Sequence, residues 1–362
     1  MNNPLARFLL QDGTEYNGYH FGAPLSAAGE AVFSTAMTGY TESLTDPSYK
    51  GQLLVYTYPL IGNYGIPSER KLENIDEFYE SNKIHINALI ISDYSHDPYH
   101  WNMAYKLSHW LKKNNVPGIY GIDTRTLTQK LREQGTMLGK IIVNNDIPFY
   151  DPNIENLAAQ VCIVDKTVYG NGKYKVLLVD CGVKNNILRC LLRRNCTITR
   201  VPWDYDFTCE IYDGLFLSNG PGNPKTYQKT IKHVQYALTE DRPIFGICLG
   251  NQLLGLAAGG DTYKLKYGHR SHNQPVLLKG SERAYITSQN HSYVLNEKSL
   301  PPVWNVLFKN LNDGSCEGLL HESKPFFSAQ FHPEASGGPA DTEFLFDWFI
   351  ERMEKYKAKT PH

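Results

Sequence analysis

The sequence predicts an α/β protein of two domains, a mixed β/α domain followed by a doubly wound, mostly parallel sheet. Three observations carry this expectation. The chain has 362 residues, enough for two cores. Its character breaks in the middle, where residues 144–173 (NNDIPFYDPN, then YGNGK) are rich in Asn, Pro, Gly and Tyr and read as a connector. From Lys175 onward short apolar runs alternate with helical stretches, the pattern of a parallel sheet covered on both faces. The expected boundaries are 1–150 for the first domain, 151–172 for the linker and 173–362 for the second domain.

In the first domain, RFLLQDGTEYNGYHFG alternates around Asp12-Gly13, a hairpin signal. AVFST and QLLVYTYPLIGN read as further strands. Between His100 and Asn114, Met103, Leu107, Trp110 and Leu111 recur at helical spacing. Asp123 or Thr124 caps a second helix, TRTLTQKLREQ, which Gly135 ends, and TMLGKIIV reads as a strand. Strict βαβ order is absent. In the second domain the order is KVLLVD, helix KNNILRCLLRRN, TITRV, DGLFL, an amphipathic helix from Tyr227 to Thr239, then PIFGI. After Ala258 come PVLLK, RAYITSQ, VWNVLF and FFSAQFH, and the chain closes with the helix DTEFLFDWFIERMEKY, whose aromatic stripe reads as core.

Charge is balanced, with 36 Lys and Arg against 37 Asp and Glu, which gives no footprint for nucleic acid. No apolar run reaches the roughly 18–20 residues of a membrane span, and the N-terminus turns polar too soon for a secretory leader, so a cytoplasmic location is expected. The 7 cysteines are scattered, form no CxxC pair and suggest neither a disulfide framework nor a zinc site; most read as small buried hydrophobes.

One cysteine has a different setting. In PIFGICLGNQLLGLAAGG an apolar strand runs into G-x-C-x-G (Gly246, Cys248, Gly250) and then into a helical pattern. Two glycines permit a sharp turn that presents the thiol at the end of the strand and at the positive end of a helix, where thiolate is favoured. Alone, the motif is as easily a buried cysteine beside a turn. A nucleophilic cysteine needs a base. FFSAQFHPEAS supplies His332 with Glu334 two residues on, so both lie on one side of the strand's end, and a carboxylate there can orient the imidazole. Alone, His-Pro-Glu could be a surface turn. SNGPGNP, at 218–224, follows DGLFL; its backbone N–H groups, with that of Leu249, could form an oxyanion hole, although a plain turn explains it as well. Together the three sit at ends of predicted strands, where ligands bind in open α/β sheets.

With these residues in view, SNGPGNP, FGICLGNQLLGLAAGG, TSQNH and FHPEASGGP, in this order, resemble a triad-type (class I) glutamine amidotransferase. GEAVFSTAMTGYTESLTDPSYKGQ, YPLIGNYGIP, GIDTRTLTQKLREQGTMLGK and KNNILRCLLRRN narrow the resemblance to the small, or glutaminase, subunit of carbamoyl phosphate synthetase, over nearly the whole chain. The resemblance implies a flavodoxin-like glutaminase domain behind a docking domain. It implies that Cys248 forms a γ-glutamyl thioester, that His332 moves the proton and that Glu334 orients His332. It gives the N–H groups of Gly220 and Leu249 to the oxyanion, and assigns Ser48, Gly220, Gly222, Leu249, Gln252, Asn290, Ser292 and Tyr293, with His291 in the same loop, to glutamine. It further implies ammonia delivery to a synthetase subunit or fused domain that makes carbamoyl phosphate from bicarbonate for pyrimidines or arginine. No cofactor is expected in this chain, ATP and Mg being used by the partner. Four positions depart from the family pattern: Ser292 for Gly, Tyr293 for Phe, Asn251 for His and Asn223 for Asp. The two Asn residues resemble the ammonia-dependent relatives, whose glutaminase has lost its cysteine.

His269 and His272, three apart in KYGHRSHNQP, have no third ligand of the right type nearby in sequence, so a loop or interface role is expected and no metal. Two rival functions stand beside the glutaminase: a degenerate module that regulates a synthetase, and a free-standing cysteine hydrolase of γ-glutamyl bonds.

Overall fold

A computed structural model describes residues 4–359. The backbone divides the chain into two compact units, residues 1–155 and 156–362.

The first unit is a closed barrel. Its strands run in the order Leu5–Leu10, Met137–Ile142, Ala27–Ser34, Gln52–Tyr56, Ala88–Ile90, Pro117–Tyr120 and Glu15–Gly22. The expected hairpin joins the first and last of these, with Gly13 at φ 87° in its turn. Three of the pairings are parallel. The helix Thr124–Gln134 begins where expected: Asp123 accepts the Thr126 N–H at 2.9 Å, and Gly135 ends it at φ 101°. The other helix is shorter than its periodicity suggests. It spans only Leu107–Lys113, because Ala104 and Tyr105 give their N–H groups to the Ile66 carbonyl instead of a helical turn.

The second unit is built on a ten-stranded sheet. Its centre is five parallel strands in the order Cys196–Pro202, Tyr174–Asp180, Gly214–Leu217, Ile244–Ile247 and Phe326–Ala329. In chain order that is 2-1-3-4-5, the doubly wound arrangement the alternation predicts. Period two splits the side chains between two layers. Phe216 and Phe245 meet Phe346 and Phe349 of the closing helix Phe344–Lys359. Leu177, Val179, Leu215 and Leu217 join Ile231, Val234, Leu249 and Leu253 in the core of the opposite layer. Beyond Phe326–Ala329 the sheet continues antiparallel through Cys316–His321, Trp304–Asn310, Asp261–Leu278 and Ala284–Asn296.

Residues expected as a linker contribute to this unit. Thr167–Tyr169 pairs antiparallel with Cys196–Pro202, Ile163 gives its N–H to Asp180 at 2.8 Å, and Ala158 is fully buried in the core. The segment around His269 and His272 is strand, not loop. Register shifts between Lys264 and His269, and between Ser271 and Gln274, break the alternation that would have revealed it. Strand Cys316–His321 lacks a clear sequence signal because its residues are buried on both faces up to Leu319.

Candidate active site

The nucleophile elbow forms because three backbones approach more closely than side chains would allow. A Cβ on Gly246 would lie 2.5 Å from the Gly250 carbonyl oxygen, and one on Gly250 would lie 2.1 Å from that of Leu217. Only with both glycines can strand Ile244–Ile247 turn at once into helix Leu249–Ala257. The turn falls on Cys248, which is held at φ 54°, ψ −103°, a region an L-residue with a Cβ rarely occupies. Its N–H is tied to the Ala329 carbonyl of the neighbouring strand at 2.8 Å. The side chain is buried, its Sγ 3.6 Å from the Asn290 carbonyl oxygen, and it stands at the helix N-terminus.

His332 and Glu334 follow the next parallel strand. The His332 N–H donates to the Ser288 carbonyl at 2.9 Å, which fixes the ring's origin. Its Nδ1 lies 2.7 Å from Glu334 Oε1, and its Nε2 is buried with no hydrogen-bond partner among the described residues. Nε2 is therefore left for the thiol, which is electrostatically coupled to the ring while outside strict hydrogen-bond geometry. Burial works against a charged His332, but Glu334 and Cys248 outweigh it and raise the ring to about 10. Burial would also raise the Glu334 carboxyl, but Lys184 and His332 hold it well below the usual carboxylate range. Burial pushes the thiols of Cys181, Cys190, Cys196 and Cys316 up.

Lys184 escaped the sequence reading as a site residue. It is buried, its Nζ 3.0 Å from Glu334 Oε1, so a single carboxylate oxygen takes both the lysine and the histidine. Asn186 adds a hydrogen bond from its side-chain amide to the Glu334 carbonyl. A signal was present: Lys184 stands just past the strand KVLLVD, at the point where strand order reverses.

The other expected site residues fall into three groups. Gly220 packs against the next loop, where a Cβ would lie 2.2 Å from the Cys181 carbonyl oxygen. Gly222 has φ 82°, which also demands glycine. Leu249 is the first residue of its helix, where backbone N–H groups lack an intrahelical acceptor. Gln252 is buried and donates to the Tyr293 carbonyl at 2.7 Å, tying the helix after the nucleophile to the loop 290–293. Ser292 is not in the positive-φ region, so serine at this position carries no backbone strain; its hydroxyl accepts from Arg270. Ser48 belongs to the first unit, in the short turn Pro47–Tyr49, where its N–H donates to Asp46 at 2.9 Å.

The departures from the family pattern are accommodated. Asn251 is fully buried; it accepts from Ser328 at 2.8 Å and donates to Gln330 at 2.9 Å. Asn223 caps the turn Pro224–Thr226 by accepting from the Lys225 N–H at 3.0 Å. The fold gives His269 buried partners that lie far from it in sequence. His269 pairs across the strands with His291, and Glu317 completes a buried group in which one side-chain nitrogen or oxygen of each lies within 4.8 Å of the others.

A cysteine elbow on a doubly wound sheet, with a carboxylate-held histidine at the end of the adjoining strand, defines a thiol hydrolase or acyl transferase of the amidotransferase type. Residues 177–352 match the class-I glutamine amidotransferase family model. Residues 8–141 match the model of the carbamoyl-phosphate synthase small chain, CPSase domain. The chain is 49% identical over 355 residues to Multifunctional protein CAD of Squalus acanthias, covering 96% of this chain and 16% of that one. It is 48% identical over 361 residues to the mitochondrial carbamoyl-phosphate synthase (ammonia) of Homo sapiens, covering 98% and 24%. It is 47% identical over 379 residues to Multifunctional protein pyr1-3 of Dictyostelium discoideum, covering 98% and 17%. The chain belongs to the carbamoyl-phosphate synthase small-chain family, whose glutamine amidotransferase domain its second unit forms. It spans 16% to 24% of the length of these relatives.

Proposed function

We propose that this chain hydrolyses glutamine to glutamate and ammonia and hands the ammonia to a carbamoyl phosphate synthetase, as a separate subunit or a fused domain. The observation that carries the reading is the strained Cys248 elbow beside the buried His332–Glu334 pair. Cys248 attacks the side-chain amide carbon of glutamine. The N–H groups of Gly220 and Leu249 receive the oxyanion, and His332 gives a proton to departing ammonia. The γ-glutamyl thioester is then cleaved by water that His332 activates, releasing glutamate and restoring the thiol. Glu334 keeps the imidazolium oriented, and Lys184 steadies Glu334. Gly222, Gln252 and the loop from Asn290 to Tyr293 hold the substrate.

The chain needs no cofactor of its own in this scheme; ATP and Mg serve the synthetase. A cytoplasmic location and a role in pyrimidine or arginine synthesis belong to the same proposal. Among the described residues no helix is long and apolar enough to cross a membrane. The similarity to an ammonia-named relative favours one second reading, a regulatory glutaminase without turnover; the retained Cys248, His332 and Glu334 weigh against it.

The test is ammonia release from glutamine by the purified chain and by Cys248→Ser, each with and without a synthetase. We expect release by the wild type, stimulation by the partner, and a loss of at least 10³-fold in the mutant, as for other triad nucleophiles. A folded wild type silent in both settings selects the regulatory reading.

A further inference from the structure

We propose that His269 is a positioning residue for glutamine, a buried imidazolium that fixes the Gln289 amide and through it the carbonyls of loop 290–293. The inference rests on the glutaminase reading and deepens it. His269 is held from both sides: Nε2 lies 2.9 Å from Asp313 Oδ2, and Nδ1 lies 2.9 Å from Gln289 Oε1 and 3.5 Å from Glu317 Oε1. Asp313 lies in the turn after Trp304–Asn310 and is half-exposed, whereas Glu317, on Cys316–His321, is fully buried.

Proton bookkeeping points to the charged ring. The Thr287 hydroxyl donates to the Gln274 carbonyl at 2.8 Å, so it accepts from the Gln289 amide nitrogen at 3.1 Å. That turns Gln289 Oε1 toward His269, which must donate there as well as to Asp313. Two carboxylates beside one ring favour the same state, and although burial opposes it, Asp313 and Glu317 raise His269 to about 9.

From Gln289 the contacts run to the substrate loop. Its Oε1 is 3.0 Å from His291 Nε2, and His291 Nδ1 is 3.1 Å from the Tyr293 carbonyl oxygen. That carbonyl also receives Gln252, and the Asn290 carbonyl faces the Cys248 thiol. Burial and the charge on His269 push His291 well below its usual value, so it is neutral and has one proton for two acceptors. The sense of the Gln289 amide decides where that proton goes. With Oε1 turned to it, His291 carries that proton on Nε2; if His269 loses its charge, the amide is free to turn over, the proton moves to Nδ1, and the Tyr293 carbonyl gains a donor beside Gln252. Two register shifts on strand Asp261–Leu278 bracket His269, Arg270 and Ser271, and all three are buried, which places His269 inward opposite His291.

The experiment uses the full chain with its synthetase partner and compares wild type, His269→Asn and Asp313→Asn. Asp313 is half-exposed, so its variant keeps the test alive if the first fails to fold. We expect KM for glutamine to rise about tenfold in both with kcat within threefold, and the wild-type KM to rise above about pH 9, where His269 titrates against Asp313, Glu317 and the neighbouring His291 and Arg270. Nitrogen-15 shifts of His269 should show both ring nitrogens protonated at pH 7.5 in the wild type. KM within twofold of wild type in both variants overturns the role, as does a singly protonated His269. A divalent metal that copurifies stoichiometrically and is lost in His269→Asn would overturn the imidazolium in favour of a His269–His291–Glu317 metal site. A wild type that hydrolyses no glutamine sinks the glutaminase reading instead, and the nitrogen-15 shifts still report the state of His269.

Discussion

The backbone at Cys248 stores strain, and two substitutions at that one residue can measure it. Cys248 is held at φ 54°, ψ −103° by the Ala329 carbonyl and by the close approach of Gly246 and Gly250. A conformation of this kind costs on the order of 1–3 kcal/mol for a residue with a Cβ and close to nothing for glycine. Cys248→Ala removes the thiol and keeps the strain. Cys248→Gly removes both, while widening the unfolded ensemble at a cost of roughly 0.5–1 kcal/mol. Comparing the two variants cancels the lost Sγ contact with Asn290. The glycine variant should therefore be more stable than the alanine variant by about 0.5–2 kcal/mol. Equilibrium urea unfolding of the second unit, followed by tryptophan fluorescence, resolves a difference of this size at equal m-values. An alanine variant as stable as the glycine variant, or more so, would show that the elbow is relaxed and that the thiol is not presented at the expense of stability.

Two further outcomes follow from the charges around the site. Lys184→Met strips a buried cation from a buried carboxylate; with His332 still paired to Glu334 the loss should be about 3 kcal/mol, toward the lower end for a broken buried pair. A change below about 1 kcal/mol in the same urea titration would mean that Lys184 does not neutralise Glu334. His269 is raised to about 9 and His332 to about 10 from an unfolded value of 6.5, so the native state holds protons that the unfolded chain releases. Their stabilisation is complete below pH 6.5 and is lost as pH rises through 9 and 10, on the order of 3 kcal/mol for His269 alone. Stability that is flat from pH 6.5 to 9.5, or a slope that His269→Asn leaves undiminished although His332 alone should remain, would refute this.

The sequence by itself determined most of what is local. Alternating apolar runs and helices specify the parallel sheet of the second unit, because period two and period 3.6 are properties of neighbouring residues. Asp123 and Gly135 bound their helix by cap chemistry that needs nothing distant. Gly246, Cys248 and Gly250 declare the elbow for the same reason. Tertiary structure decided whatever depends on register between remote segments. The barrel closes only when Leu5–Leu10 meets Met137–Ile142, some 130 residues away, and no window of sequence encodes that pairing. The helix expected from His100 gives up its first turns to the Ile66 carbonyl. Lys184 reaches Glu334 across 150 residues. His269 looked like a loop residue because register shifts hide its strand, and it gains His291, Glu317 and Asp313 only from strands and a turn that fold beside it. The nucleophile was legible because its geometry is made by adjacent glycines; the charges that tune its surroundings were not, because electrostatic partners are chosen by distance in space.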